Sequence, residues 1–379
     1  MDDFLWLDQI RFDDRLLVGE KAFYLSHLTH RGYPIIPGFV VKAPALREFL
    51  SSIEWLDPFF ADLPNSALHL DVDNPRQLQL VAQHIRREIV ATELPEAWLN
   101  ELVAICSNLP ANALIFRPSL GLPSQVSLDS NVNLSGLWES HVCSLSASAI
   151  ASGAARSAIA NALKRTWAEL FRARSLLYWQ RVGVQLQKIN LAILVQPLQS
   201  CLASGWLQTE GFTSKSGTAR QPSGWQIQAT WGLEMSLLKG EVLPDFYEVQ
   251  PENGAILSQK LGVKTLAYRL LESSAASVEE IPGFNQVVVH PPLQVYLPSE
   301  KQQKQYVLEP RYLQDLVQLG HQLTAELGRA LSVGWILVAN ELEASGAKFY
   351  ITQIQICEHR HQTLFEQGSG LSTSPVSQK

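Results

Sequence analysis

Residues 18–22 read Val-Gly-Glu-Lys-Ala, and residues 32–41 read Gly-Tyr-Pro-Ile-Ile-Pro-Gly-Phe-Val-Val. In the first stretch a glycine precedes apolar residues at helical spacing, Leu25 and Leu28 among them, which predicts a tight turn followed by a short helix over 17–31. In the second stretch, Pro and Gly precede β-branched and aromatic residues. That pattern predicts a turn that leads into a buried strand.

Helical and strand-like patterns alternate along the rest of the chain. Pro, Asn or Asp residues bound the first three of the predicted helices, which lie at 43–54, 75–90, 95–107, 145–181 and 310–329. Short apolar runs predict strands at 113–116 (ending at Arg117), 191–195, 225–230, 246–249, 287–290 and 349–356. This mixture predicts an α+β or mixed α/β fold.

Two segments lack any periodicity. Residues 211–226 carry Gly, Ser, Thr, Lys and Pro, which indicates a mobile hairpin loop or lid. Residues 359–379 are rich in polar and small residues and are predicted to form a disordered tail.

Composition and charge exclude several classes of protein. The chain has 379 residues, 46% of them hydrophobic and 17% charged, and a net charge of −6, which argues against a nucleic-acid-binding surface. No uninterrupted apolar stretch is long enough for a transmembrane helix, and the acidic first residues do not resemble a secretory signal. Four widely spaced cysteines predict four buried thiols rather than disulfides or a metal site. We therefore expect a cytoplasmic protein.

Several short motifs occur in a fixed order along the chain. They are Val-Gly-Glu-Lys at 18–21, Ile-Pro-Gly-Phe at 36–39, Phe-Arg-Pro-Ser at 116–119, Val-Gln-Pro-Leu at 195–198, Trp-Gly-Leu at 231–233, Gly-x-Val-x-Pro-Asp-x-Tyr at 240–247 and Gly-Val-Lys at 262–264. Glu341 follows, with Gln353 twelve residues later. Over residues 15–357 the chain resembles the ATP-binding domain of phosphoenolpyruvate synthase and pyruvate phosphate dikinase. The phosphohistidine and pyruvate-binding domains that follow in that family are expected to be absent.

The resemblance implies an ATP-grasp-like fold of the α+β class, in which two lobes clamp the nucleotide. Residues 1–200 would form the first lobe or lobes with a helical insertion, and residues 201–358 the second. Phosphoryl transfer needs positive charge on the triphosphate and metal ions that bridge its oxygens. By resemblance, Lys21 and Arg117 would contact the phosphates of ATP. An ordinary surface lysine and a structural ion pair are the alternatives for these two residues.

The resemblance also assigns the metal and the adenine. Glu341 and Gln353 would face Mg²⁺ from adjacent strands, and Gln353 would also contact the nucleotide. Backbone near Gln196 would hold the adenine. Glu341 has a close neighbour of like charge, Glu343, so one of the two could instead be solvated.

Four departures from the family pattern cluster among the charged positions. Glu20 replaces a glycine and would repel phosphate by several kcal/mol at about 4 Å. Pro118 removes a backbone N–H. Met235 stands where the family has a glutamate. Glu234, one residue earlier, could substitute for it, but a strand would turn it to the opposite face. Gln355 replaces an arginine that is worth on the order of 10³ in rate.

These losses favour a catalytically impaired relative that binds ATP and acts as a regulatory or partner-binding protein. An active phosphotransferase that passes phosphate to a small molecule or to a histidine on another chain is the alternative. A structural subunit that has lost ATP is a third possibility. A protein partner receives modest support from four tryptophans near predicted loops or element ends: Trp138, Trp179, Trp206 and Trp225.

Overall fold

The computed structural model describes residues 3–55, 74–122, 138–146, 149–150, 152–182, 184, 186–209, 224–271, 292–339 and 346–357. Its α-helices are Arg15–His30 (α1), Ala43–Ser52 (α2), Pro75–Ala91 (α3), Glu96–Ser107 (α4), Ala154–Ala168 (α5), Ala173–Arg181 (α6), Met235–Leu238 (α7), Glu300–Gln303 (α8) and Pro310–Leu327 (α9). Its strands are Phe4–Trp6 (β1), Phe39–Val41 (β2), Ala113–Gly121 (β3), His141–Ser144 (β4), Asn190–Pro197 (β5), Ala203–Gln208 (β6), Trp225–Trp231 (β7), Asp245–Val249 (β8), Ile256–Lys260 (β9), Ala267–Leu270 (β10), Leu293–Tyr296 (β11), Leu331–Ala339 (β12) and Ala347–Ile356 (β13).

The strands form two large antiparallel sheets. The first sheet has the order β1-β2-β5-β3-β4, and the second has the order β13-β12-β6-β7-β8-β9. Strands β10 and β11 pair separately with each other. Antiparallel sheets together with segregated helices confirm the α+β class.

Helix α1 lies between the two sheets, and one continuous core surrounds it. This core combines apolar residues of α1 (Val18, Ala22, Leu25, Leu28), of the first sheet (Val40, Ala192, Leu194) and of the second sheet (Leu207, Val333, Ile351). The opposite face of the first sheet packs against α2 to α6 in a second core. The N-terminal end of α1 is therefore held where the two sheets meet.

The Pro-Gly turn that precedes β2 also joins the two sheets. The Ile351 N–H of β13 donates a hydrogen bond to the Pro34 carbonyl at 2.9 Å, and Ile35 forms a parallel bridge with the same residue. The Leu7 N–H reaches the Gly38 carbonyl at 3.0 Å. This turn therefore fixes the end strand of the second sheet against the first.

Two boundaries differ from the sequence-based prediction. The strand predicted to end at Arg117 continues to Gly121, because β5 pairs with β3 along its whole length. Beyond Phe116, β3 pairs with β5 on one side but has no β4 partner on the other. Pro118 lies in this half-paired part, where proline is tolerated. The helical region predicted at 145–181 is divided into α5 and α6, because Arg172 between them adopts an extended conformation.

Two further expectations are corrected. Cys106 and Cys143 are buried as predicted, whereas Cys201 and Cys357 are partly exposed; none of the four forms a disulfide. Of the four tryptophans considered as partner contacts, Trp138, Trp179 and Trp225 lie in the cores and only Trp206 is partly exposed. The burial of the first three removes most of the support that tryptophan gave to a docking surface.

Several predicted features fall outside the described residues. They are Glu341 and Glu343, the strand at 287–290, the tail at 359–379 and most of the predicted lid. The last residues of that lid, Trp225 and Gln226, belong to β7. Within the described ranges, no helix combines the length and the apolar character that crossing a bilayer requires.

A buried ion pair stabilises the second sheet. The side chains of Asp245 and Lys264 are both 0% exposed and paired with each other. The Gly262 and Val307 N–H groups each donate to one Asp245 carboxylate oxygen, both at 2.7 Å. The Tyr247 hydroxyl accepts the Leu308 N–H at 3.1 Å. The Pro-Asp-x-Tyr and Gly-Val-Lys motifs therefore meet as one structural unit, a role that sequence reasoning missed.

Breaking this pair is expected to destabilise the protein strongly. Lys264→Met leaves the buried Asp245 carboxylate without its cation, so the free energy of unfolding should fall by about 3–5 kcal/mol in urea titrations. The control is Lys304→Met, which removes an exposed partner of Glu300 and should cost within about 0.5 kcal/mol. Equal losses in the two variants would contradict a structural role for the pair.

Candidate functional site at the junction of the two sheets

Gly19 breaks helix α1 and restarts it beside β3. Its φ and ψ are 78° and 163°, so the regular helix begins only after it. A Cβ atom at this position would collide with the Ser119 carbonyl, which restricts the position to glycine. The Ser119 hydroxyl accepts the Ala22 N–H at 3.1 Å and so caps the restarted helix. Lys21 consequently lies in a helical first turn, against β3.

The Lys21 ammonium group has no hydrogen bond or ion pair with any described residue. The side chain is partly exposed, yet protein atoms surround its amine. Burial, reinforced by the neighbouring Arg117 charge and partly offset by Glu234, lowers the pKa of Lys21 to about 7. An amine in such a place is protonated below about pH 7, and a bound anion would stabilise its charged form.

The Arg117 guanidinium joins β3 to the second sheet. Its side chain is 5% exposed. The Nη1 group donates to the Thr352 carbonyl of β13 at 2.6 Å, and Nη2 donates to Glu234 Oε1 at 3.2 Å. The Nε group is buried without a partner. Arg117 therefore forms the structural ion pair considered as the alternative to a phosphate contact, and its Nε–H remains without a partner.

Glu234 lies in this cluster, contrary to the expectation that it points to the opposite face of a strand. Strand β7 ends at Trp231, and Gly232, with a φ of 66°, redirects the chain. The Leu233 N–H then binds the Tyr268 carbonyl at 2.9 Å. Because Glu234 follows a turn and precedes α7, the alternation of a strand does not apply to it. Its second carboxylate oxygen, Oε2, is buried without a partner.

Glu20 does not present an unpaired charge to the site. Arg15 Nε and Nη2 contact its two carboxylate oxygens at 2.7 and 2.9 Å. The same guanidinium lies over the rings of Phe23 and Tyr24. The repulsion expected from an isolated carboxylate is thus largely offset by Arg15, and that expectation is corrected.

Gln353 lies on β13 next to the carbonyl that binds Arg117. Gly334 of β12 pairs with Gln353 and Trp335 pairs with Ile351, so Thr352 is the extra residue of a β-bulge. The Gln353 side chain is nearly buried, at 6% exposed. The structure therefore brings Lys21, Arg117 and Gln353 to one end of the junction, together with Glu234.

Gln196 has a structural contact of its own. Its Nε2 group donates to the Ile36 carbonyl at 2.6 Å, which ties β5 to the Pro-Gly turn. Leu198 follows two residues later. It packs on the edge of a small apolar cluster together with Cys201 and Met235. The adenine is predicted to contact the backbone near Gln196. This backbone therefore lies beside an apolar surface.

Oxygen ligands for a metal are few in this region. Among the residues described, no group of three or more His, Cys, Asp or Glu side chains could hold a metal ion. Glu341 is outside those residues, and Glu234 and Gln353 remain as oxygen donors near Arg117.

Comparison with known families agrees with this arrangement. The family described as "Pyruvate phosphate dikinase, AMP/ATP-binding domain" matches residues 15–364. The chain belongs to this family. The family match therefore covers Lys21, Arg117, Glu234 and Gln353 together.

The curated relatives are considerably longer than this chain. It is 25% identical over 281 residues to the probable phosphoenolpyruvate synthase of Methanothermobacter thermautotrophicus, which covers 73% of the chain and 38% of that protein. It is 27% identical over 263 residues to the probable phosphoenolpyruvate synthase of Staphylothermus marinus, which covers 69% of the chain and 30% of that protein. It is 22% identical over 378 residues to the phosphoenolpyruvate synthase of Pyrococcus furiosus, covering 92% and 43%. The chain thus spans about a third to two-fifths of the length of these proteins.

The unusual acidity of Lys21 can be measured directly. Reductive methylation with ¹³C-formaldehyde should yield one dimethyl-lysine signal in NMR that titrates near pH 7, while exposed lysines titrate near 10. Because burial lowers its pKa, Lys21 is protonated below that midpoint and neutral above it. The signal should be missing in Lys21→Arg. Midpoints above about 9 for every lysine would contradict the described environment of Lys21.

Proposed function

We propose that the chain binds ATP in an ATP-grasp-like clamp, with the triphosphate at the junction of the two sheets, and that it transfers phosphate poorly. The observation that carries this proposal is the convergence of Lys21, Arg117, Glu234 and Gln353 at one end of α1. Membership of the AMP/ATP-binding domain family supports the choice of ligand.

The phosphates have three sources of positive potential in this arrangement. Lys21 has no partner among the described residues and is protonated below about pH 7, and the Nε–H of Arg117 is not used by the protein. The first turn of the restarted helix adds backbone N–H groups and the positive end of a helix dipole. In a junction of low dielectric these groups act on an anion more strongly than they would in water.

The adenine is placed along the backbone that follows Gln196. The chain passes from β5 to β6 through Leu198 and Cys201, which border an apolar cluster. A flat, mostly apolar ring is suited to such a surface, and backbone groups provide the polar contacts that orient it.

Magnesium fits the oxygen donors that remain. Glu234 Oε2 is buried without a partner, and Gln353 carries an amide oxygen nearby on β13. Mg²⁺ prefers such ligands, and Glu341 is assigned to the same ion by resemblance. When bound, the ion would neutralise part of the phosphate charge. Lys21 and Arg117 would then orient the phosphates.

Weak catalysis is inferred from two positions. Met235 cannot supply the carboxylate that the family has there, because a thioether does not bind hard cations. Gln355 lacks the charge of the arginine in the family pattern, a loss on the order of 10³ in rate. ATP binding without efficient transfer suits a regulatory protein that acts through a protein partner.

An active phosphotransferase is the second candidate, and two observations favour it. Arg15 neutralises Glu20, and Glu234 lies inside the site rather than on the opposite face. Both observations reduce the departures from the family pattern that argue against catalysis. In this alternative, the phosphate acceptor is a small molecule or a histidine of a separate chain.

Calorimetry with Mg-ATP tests the proposal. Lys21→Ala should weaken binding roughly 10- to 100-fold, because a charge-assisted contact to phosphate is lost. Lys304→Ala, at an exposed lysine of α8's C-terminal end, should bind as the wild type does. Unchanged affinity in Lys21→Ala would exclude this phosphate site.

The same samples distinguish the two candidates. Release of AMP or phosphate from ATP should stay at background for the impaired protein. Turnover above background that Lys21→Ala abolishes would replace the first candidate by the active phosphotransferase.

A further inference from the structure

Glu234 holds the position next to Arg117 that an oxyanion would take. Its Oε1 atom contacts only Nη2 of the guanidinium, at 3.2 Å, while the Nε group beside it stays without a partner. An arginine binds a phosphate or carboxylate best with two parallel N–H groups. Of the two neighbouring groups Nε and Nη2, Glu234 therefore contacts only Nη2 and leaves Nε unused.

The other side of the guanidinium is fixed. Nη1 donates to the Thr352 carbonyl at 2.6 Å, so Arg117 cannot turn away to meet a ligand elsewhere. A phosphate that uses Nε and Nη2 together would compete for Nη2 with the Glu234 carboxylate. The phosphate and the Glu234 carboxylate would repel each other strongly there, because little solvent reaches the side chains of Arg117 and Glu234.

The charges of the cluster indicate which kind of phosphate can displace Glu234. Arg117 contributes one positive charge and Glu234 one negative charge, so the protonated form of Lys21 is the remaining positive charge among the described residues of the cluster. A metal-free polyphosphate carries several negative charges and would also face the displaced carboxylate. A divalent cation that accompanies the phosphate would bind that carboxylate, because oxygen anions are its preferred ligands.

We infer that Glu234 is an internal competitor for the phosphate site, which it occupies in the ligand-free protein and leaves only for a phosphate that arrives with a divalent cation. This inference rests on the proposed function and names the class of ligand: a cation-complexed polyphosphate, in preference to free phosphate, sulfate or metal-free nucleotide. Glu234 is a specificity-determining residue in this account, and its position one residue before Met235 allows it to reach Arg117.

Binding of inorganic pyrophosphate, with and without Mg²⁺, tests the inference. Glu234→Gln keeps an acceptor for Nη2 but removes the competing charge. It should bind metal-free pyrophosphate roughly tenfold more tightly than the wild type and show a smaller gain on addition of Mg²⁺. Glu309→Gln removes an exposed carboxylate that pairs with Arg311, and should behave as the wild type.

A second variant guards against a folding defect. Glu234→Gly removes the whole side chain, and the helical φ and ψ of Glu234 are open to glycine. If either folded variant binds metal-free pyrophosphate no better than the wild type, the inference is overturned. Weaker binding in both variants would overturn it as well.

The titration of Lys21 provides a readout that needs no ligand. Glu234 stabilises the protonated form of Lys21, so its removal should lower the Lys21 midpoint further below that of the wild type. An unchanged midpoint would show that the carboxylate does not act on the cluster.

If pyrophosphate binding improves while ATP never binds, the proposed function fails and the inference stands. If ATP binds through Lys21 and both Glu234 readouts are unchanged, the inference alone fails.

Discussion

The buried guanidinium of Arg117 is the interaction on which the junction depends. It extends from the first sheet to the Thr352 carbonyl of the second sheet and to Glu234 after β7. A nearly buried cation needs an anionic or hydrogen-bonding partner, because isolated charge in a protein interior is costly. The shared core around α1 holds the sheets together, and Arg117 determines which polar groups meet at that end. The phosphate site, as proposed, is a consequence of this polar contact between two apolar layers.

Local patterns predicted the parts of the site that depend on nearby residues. The glycine turn before Lys21 and the Pro-Gly turn before β2 were predictable, because each needs only its own backbone geometry. The approach of Lys21 to Arg117 came from the family resemblance and not from spacing. The cap that Ser119 provides to Ala22 links residues 97 positions apart, and no periodic pattern encodes such a contact.

The two corrected charges show why the rest was missed. The position of Glu234 depends on β7 ending at Trp231 and on the turn at Gly232, and an error of one or two residues in the strand end reverses the expected direction. The pair between Arg15 and Glu20 spans the break at Gly19, so the spacing of a continuous helix did not indicate it. For Asp245 and Lys264, a signal was available: both are charged residues inside apolar motifs, and buried charges are normally paired.

A crystal structure with Mg²⁺ and a non-hydrolysable ATP analogue is the most direct test of the central claim, that the end of α1 between the sheets is a phosphate site. The account predicts phosphate oxygens within roughly 2.7–3.2 Å of Lys21 Nζ and of an Arg117 N–H, with Glu234 displaced toward the metal. Nucleotide bound elsewhere, with the Arg117–Glu234 pair and Lys21 unchanged, would contradict it. So would the absence of nucleotide at saturating concentration in a correctly folded crystal.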